Sequence, residues 1–384
     1  MSSISQSWAS QAAQRVESVS LRSGNWHAGK GTVSLAIGEP SFDTPRVVTA
    51  ALEVALRGGA THYAPQHGLP ELRQAVAKTE LLHRSLGFDE DNVLVTQGGT
   101  AGLASAILGT VSPGDVVALE DPTYSLYADL VALAGGKVTT YRRRPDGDLD
   151  DESLSRACSG ARLLIVCQPS NPTGAVFSDR DWEIASHVAG ANDMLVLADE
   201  AYEGLVYDDW NYISILDRTD LADRLLLCRT FSKKFAMTGW RIGYLVAAAH
   251  TLRPAAVMHR TFNGAVNTAV QWAAITALTQ AHDAVARMRD EFAHRRAVIG
   301  AEIADVACLT ATAPAGAFYY WCHYAGDNRS SVEVAAAAQR AGVAVRPGQE
   351  FGASGRHALR LSFAASVEEI REGMDRLREV FHQT

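Results

Sequence analysis

Two lysines stand side by side in Phe231-Ser-Lys-Lys-Phe235, and eight residues past the first comes Arg241, in Thr238-Gly-Trp-Arg-Ile-Gly-Tyr244. A lysine in apolar, aromatic surroundings loses its proton more readily than an exposed one. The neutral amine is the nucleophile that forms a Schiff base with an aldehyde; a solvated lysine is the plain alternative. Arg241 carries a fork of donors matched to an oxyanion such as phosphate. Arg360 lies inside the apolar run Leu359-Arg-Leu-Ser-Phe363. If buried, it needs an anion, supplied by a protein carboxylate or by a substrate. Asp199 follows the apolar run Met194-Leu-Val-Leu-Ala198, where a carboxylate is costly unless it pairs or binds a cation. A surface strand end would also account for it. Gly98-Gly-Thr100 reads as a turn into a helix, where backbone N–H groups can approach a phosphate or simply make a turn. Pro169-Ser-Asn-Pro-Thr-Gly174 is a rigid turn that would hold Asn171 in one orientation.

These residues fall where one kind of fold would gather them. Short apolar runs alternate with helical stretches: Val93-Leu-Val-Thr-Gln97, Val116-Val-Ala-Leu-Glu120, Lys137-Val-Thr-Thr-Tyr141, Leu163-Leu-Ile-Val-Cys167, Met194 to Ala198, Leu225-Leu-Leu-Cys228 and Ile242-Gly-Tyr-Leu-Val246. The continuous apolar runs predict strands covered on both faces. Such alternation predicts an α/β lobe with a mostly parallel sheet flanked by helices, with ligands at the carboxyl ends of the strands. The polar signals follow those ends. Gly316-Ala-Phe-Tyr-Tyr-Trp321 and Leu359 to Phe363 predict strands of a smaller α+β grouping. A capping box, Ser366-Val-Glu-Glu369, opens a last helix whose Val367, Ile370, Met374, Leu377 and Phe381 share one face. A long helix near Ala281 to Ile303 would join the lobes. The expected organisation is a large domain over 46–284 and a discontinuous small domain from both chain ends, 1–45 and 285–384, with the first ~45 residues packed on the C-terminal lobe.

Composition narrows the function. The chain has 384 residues, 47% apolar and 20% charged, with a formal net charge of −8. The apolar fraction excludes global disorder. No apolar run reaches the length of a membrane span, and the N-terminus lacks a basic start followed by an apolar stretch, so neither membrane association nor secretion is expected. An acidic chain whose only basic triplet is Arg142-Arg-Arg144 is a poor nucleic-acid binder; the triplet reads as a solvated strand end or an anion site. Five scattered cysteines without CxxC, and histidines without HExxH spacing, support neither a disulfide framework nor a metal site. A cytoplasmic protein with reduced thiols is the expectation.

Taken together, the motifs resemble the class I/II aminotransferases, pyridoxal-phosphate enzymes of fold type I, the aspartate aminotransferase-like family. The resemblance runs from Gly38-Glu-Pro-Ser-Phe-Asp-Thr-Pro45 to Arg360-Leu-Ser-Phe-Ala364. It includes Asn171-Pro-Thr-Gly174, Asp199-Glu-Ala-Tyr202, the Ser232–Tyr244 block, Pro314-Ala-Gly-Ala-Phe-Tyr319 and Val345-Arg-Pro-Gly-Gln-Glu-Phe-Gly352. What it implies is a pyridoxal 5'-phosphate cofactor and transfer of an amino group between an L-amino acid and a 2-oxo acid. Lys233 matches the family's Schiff-base lysine and proton shuttle, with Lys234 the fallback register. Asp199 matches the partner of the pyridinium nitrogen. Asn171 and Tyr202 match the hydrogen-bond donors to the ring's phenolic oxygen, and Tyr124 the aromatic stacked on the ring. Gly99, Thr100, Ser232 and Arg241 match the phosphate site. Tyr63 matches a tyrosine that reaches the phosphate of the partner subunit, which implies a homodimer with shared active sites. Arg360 matches the α-carboxylate clamp, and Gly38 lines the same pocket with its backbone.

The resemblance leaves the substrate side chain open. His62 and Arg260 are candidates for a distal carboxylate, by neighbourhood only. Trp26, Tyr124 and Phe262 could instead suit an apolar or aromatic side chain. Elimination, cyclisation or oxidation on the same scaffold is the alternative chemistry, separable by product. A ligand-sensing regulator would carry an N-terminal DNA-binding segment, for which a match beginning near Leu35 leaves no room.

Overall fold

The computed structural model describes residues 8–22, 29, 31–208 and 210–382. In chain order the first elements are α1 (Gln11–Val19), β1 (Val33–Ser34), α2 (Arg46–Arg57) and α3 (Pro70–Val76). Then comes the alternating segment: β2 (Val93–Thr96), α4 (Gly98–Thr110), β3 (Val116–Glu120), α5 (Leu126–Ala134), β4 (Lys137–Tyr141), α6 (Asp151–Cys158), β5 (Leu163–Cys167), α7 (Asp179–Ala191), β6 (Leu195–Asp199), β7 (Leu225–Thr230), the short α8 (Phe231–Lys234) and β8 (Gly243–Ala247). These strands form one seven-stranded sheet, ordered β2-β8-β7-β6-β5-β3-β4. Only β8 runs antiparallel, against both β2 and β7. The apolar runs are continuous because both faces are covered. Leu164, Val166, Val196, Ala198 and Leu227 enter one core, and the alternate residues Leu163, Ile165, Leu197 and Leu226 enter the other.

Three helices follow: α9 (Ala249–Asn263), α10 (Thr268–Gln280) and α11 (His282–Ala304), the last at 23 residues the long connector expected between lobes. Beyond it lie β9 (Leu309–Thr310), β10 (Tyr319–Tyr324), α12 (Ser331–Arg340), β11 (Val343–Ala344), β12 (Arg346–Pro347), β13 (Ala358–Ser362) and α13 (Val367–His382). Four of these strands make an antiparallel sheet, β12-β13-β10-β9, and β1 pairs parallel with β11. A separate core gathers Leu35 from the N-terminal segment with Phe292 of α11, Phe318, Leu361, Met374 and Leu377. The capping box forms as read: Glu369 N donates to Ser366 Oγ and Ser366 N to Glu369 Oε2.

Three expectations are corrected. The N-terminal residues do not all pack on the C-terminal lobe. Residues 33–36 do, through β1 and Leu35, but α1 lies against α5 of the large sheet's helical layer, where Arg15 donates to the carbonyls of Ala132 and Leu133. Carbonyls in the last turn of a helix lack the usual i+4 donors; Gly135 N caps Ala132 O, and the arginine donates to both Ala132 O and Leu133 O. The arginine triplet is not a solvated strand end throughout: Arg143 is half-buried between Glu120 and Asp181, at 3.2 Å from each. Finally, Gly98-Gly-Thr100 is not a turn ahead of the helix but the first turn of α4 itself. Gly98 has φ +77°, a conformation that favours glycine, and a Cβ there would come within 2.7 Å of Arg241 Nη2 and displace the guanidinium.

Candidate active site

The carboxyl ends of β2, β5, β6 and β7 open onto one cleft of about 690 Å³, closed on its other side by the 34–39 segment and by β12 and β13. The strand-end rule of open α/β sheets accounts for the position. Of the residues singled out from sequence, the cleft gathers Gly38, Gly99, Thr100, Tyr124, Asn171, Asp199, Tyr202, Ser232, Lys233, Arg241 and Arg360.

Lys233 Nζ donates to Gly38 O at 2.5 Å. Burial pushes its amine down to about 8, against the raising influence of Glu39 and with Arg360 and Arg241 reinforcing the fall. Lys234 points elsewhere, donating to Glu203 at 2.8 Å. Asp199, at the end of β6, accepts from Tyr127 Oη at 2.7 Å and from Ala201 N at 3.2 Å. Among the described residues no cation forms a salt bridge with it. Burial holds its carboxyl up at about 6, the two hydrogen bonds opposing the rise.

Arg360 donates to Asn171 Oδ1 at 3.0 Å and to Ala36 O at 2.8 Å, and its guanidinium lies 4.1 Å from the centre of the Tyr319 ring. No described carboxylate pairs with it, and its Nε is buried without a partner. Tyr319 Oη also shares a 2.9 Å hydrogen bond with Tyr202 Oη, and a Cβ on Gly38 would sit 3.1 Å from that same Tyr319 oxygen. Arg241, at φ +55°, donates to Thr238 O and faces the first turn of α4. Thr230 Oγ1 donates to Ser232 Oγ at 2.9 Å beside it.

These features fit a phosphorylated, cationic-ring cofactor. The buried Asp199 carboxylate lacks a cation. Arg241, the glycine-cleared helix start and Ser232 make an anion cradle. An amine of lowered basicity, Lys233, lines the same cleft.

Several expected residues are not in the cleft. Tyr63 is 98% exposed and borders a second cavity, of about 850 Å³, with His62, Gln97 and residues 265–268. His62 and Arg260 are exposed and do not line the cleft, and Phe262 is 52% exposed. The buried face of α9 carries Leu252, Ala255, Ala256 and His259, which turns Arg260 and Phe262 outward. Trp26 lies outside the described residues. The sequence reading also passed over Tyr127, Tyr319, Glu39 and Arg346. Tyr127 lies in the first turn of α5 and packs edge-on against Tyr124, which precedes the helix, and no spacing in the sequence marked it. The other three sat within quoted motifs but were assigned no role.

The family model for aminotransferase class I and II matches residues 30–377. An aspartate aminotransferase of Pyrococcus abyssi is 34% identical over 92% of this chain and 92% of its own. Aromatic-amino-acid aminotransferase 2 of Thermococcus litoralis is also 34% identical, with 92% of each chain covered. The crystal structure of an aromatic aminotransferase from Pyrococcus horikoshii superposes with a TM-score of 0.90 at 31% identity, over 97% of this chain and 99% of that one. The chain therefore belongs to the class I and II aminotransferases and is an enzyme that transfers amino groups.

Proposed function

We propose that the cofactor is pyridoxal 5'-phosphate and that the enzyme passes an amino group between an L-amino acid and a 2-oxo acid. The observation that carries the reading is the convergence on one cleft of the Lys233 amine, the Asp199 carboxylate and the Arg360 guanidinium, each without an oppositely charged partner bonded to it among the described residues. When bound, the cofactor supplies an aldehyde that exchanges amines and an electron-accepting ring.

The chain's own residues would do the rest. Gly99, Thr100, Ser232 and Arg241 hold the phosphate. Asp199 pairs with the ring nitrogen and keeps it protonated, with Tyr127 orienting the carboxylate. Asn171 and Tyr202 donate to the phenolic oxygen, and Tyr124 covers a ring face. Arg360 clamps the substrate α-carboxylate bidentately, Gly38 lines that pocket, and the fixed carboxylate orients the Cα–H bond. Lys233 carries the covalent attachment and then takes and returns the proton at the α-carbon, a task suited to an amine held near neutrality.

A homodimer is part of the reading. Tyr63 would reach the phosphate of the partner subunit, and its exposure within one chain supports this, as do the exposed Val54, Leu56 and Trp272 on the mutually packed α2 and α10. We assign 46–284 to a large domain and 285–384 with the 31–45 segment to a small one, with α1 attached to the large domain. Five cysteines without a disulfide suit the reducing cytoplasm.

The test is to mix holoenzyme with single amino acids and follow its absorbance and products. Formation of the pyridoxamine spectrum with release of a 2-oxo acid is expected. Ammonia or sulfide release instead would move the assignment to elimination. Arg360→Ala is expected to lower kcat/KM for amino acids by about 10²-fold or more, the scale of losing a buried charged hydrogen-bond pair, while cofactor affinity holds. Unchanged amino-acid affinity would remove the clamp.

A further inference from the structure

Tyr319 opens β10, is 1% exposed and lines the cleft. In the register of β10 against β13 it lies opposite Ser362, while Trp321 lies opposite Arg360. Tyr319 and Arg360 are therefore diagonal neighbours on one face of the sheet, a spacing of about 7–8 Å that an aromatic ring and an arginine can close. They do close it: the Arg360 guanidinium lies 4.1 Å from the centre of the Tyr319 ring. The far end of the same side chain reaches the large lobe, where its Oη is 2.9 Å from Oη of Tyr202, just beyond β6. Gly38 keeps the space beside that Tyr319 oxygen free of any side chain, since a Cβ there would sit 3.1 Å from it. One residue thus touches both the guanidinium proposed to hold the substrate and a hydroxyl proposed to face the cofactor.

Both contacts have a direction. Burial raises the two phenols above their ordinary range, so each keeps its single proton. A hydroxyl donates once and accepts twice. If Tyr202 donates to the cofactor's phenolic oxygen, its only proton is committed, and the 2.9 Å bond must run from Tyr319 to Tyr202. A hydroxyl that accepts one hydrogen bond donates a stronger one. At the other contact the ring attracts the cation through its face and takes none of the in-plane N–H donors. A carboxylate in that place would occupy the fork that a substrate carboxylate needs. We infer that Tyr319 is a positioning residue for amino transfer with two duties: its hydroxyl donates to Tyr202 and turns the Tyr202 proton toward the phenolic oxygen, and its ring face holds Arg360 with the guanidinium fork open to the α-carboxylate.

The inference rests on the aminotransferase reading of the cleft, and its test separates the two. Tyr319→Phe removes the hydroxyl and keeps the ring. Tyr319→pentafluorophenylalanine nearly keeps the shape of that phenylalanine and reverses the charge of the ring face. Each holoenzyme is read twice, for the pH midpoint of its visible absorbance and for its calorimetric affinity for butyrate, an unreactive monocarboxylate. A hydrogen bond to the anionic phenolic oxygen favours that form, so weakening it in Tyr319→Phe is expected to move the midpoint up by about 0.3 pH unit or more. Butyrate affinity should stay within about twofold of the wild type, because the ring face remains. Tyr319→pentafluorophenylalanine is expected to share the raised midpoint and to bind butyrate about fivefold or more weakly than Tyr319→Phe. A midpoint that stays or falls in Tyr319→Phe overturns the inference. So does equal butyrate affinity in the two variants. A butyrate loss already complete in Tyr319→Phe also overturns it, because a general disturbance of the cleft would give that result. A wild type that takes up no pyridoxal 5'-phosphate would overturn the function reading and this inference with it. An active transaminase whose midpoint and butyrate affinity ignore both substitutions would overturn this inference alone.

Discussion

Asp199 and Glu200 are consecutive, both buried, and electrostatically opposite in circumstance. Glu200 accepts from Arg229 Nη2 at 2.7 Å, from Ser214 Oγ at 2.8 Å and from Ile215 N at 2.8 Å, and Arg229 also reaches Glu80. Every charge in that cluster is answered from within the chain. Asp199, facing the cleft, has hydrogen bonds but no cation. The same division separates Lys234, bonded to Glu203, from Lys233, bonded to a carbonyl, and Arg229 from Arg360. A buried charge balanced by its own chain holds the fold. A buried charge left to hydrogen bonds alone is built for something that arrives later.

The sharpest break of this contrast is at the lysines. Lys233→Ala is expected to lower amino transfer by at least about 10³-fold, the scale of removing a positioned acid–base group, and to abolish a borohydride-stable cofactor label found by peptide mass mapping. Lys234→Ala should retain the label and lose less than tenfold. The reverse pattern would exchange the two registers.

Next in size is the closed cluster. Glu200→Ala leaves Arg229 with Glu80 alone, and breaking a buried pair costs about 3–5 kcal/mol. Urea unfolding should show that loss in the cofactor-free protein, whereas Asp199→Asn should not. Equal destabilisation by both would erase the distinction between the two carboxylates.

The smallest effect is a pH dependence. The folded protein holds the Asp199 proton up to about pH 6, while the unfolded chain releases it in the ordinary carboxylate range, near pH 4. Between those values the native state binds more protons, so this residue's contribution to stability is full below about pH 4 and lost as pH rises through 6. Asp199→Asn does not titrate. The cofactor-free variant should therefore gain on the wild type between pH 4 and 6 and then hold level, as read from urea midpoints. A flat difference would mean that Asp199 is already answered by a cation.

Much of the fold was legible before any coordinates. The run Leu163 to Cys167 appears as a strand with the bounds the pattern predicts, because a strand covered on both faces cannot tolerate polar interruptions. Around the site, the glycines at Gly98 and Gly99, the turn at Asn171 and the strand-end Asp199 were visible for the same reason: they interrupt apolar runs where an open sheet keeps its ligands. The helix α1 was misplaced because its contact with α5 runs through arginine-to-carbonyl hydrogen bonds, which leave no apolar period in the sequence. His62, Arg260 and Phe262 were offered by nearness along the chain, and α9 turns the last two outward.

Residue type and order by themselves determined the sheet's strands and named Lys233, Lys234, Arg241 and Arg360 as candidates, since each depends on local pattern or intrinsic chemistry. Tertiary structure alone decided which lysine faces the cleft, that Asp199 lacks the cation Glu200 possesses, and that Arg346 stands beside Arg360. Those facts depend on pairing between segments far apart in the chain, Arg346 with Arg360 across a strand register and Lys233 with Gly38 across 195 residues, and no periodicity in either segment encodes its distant partner.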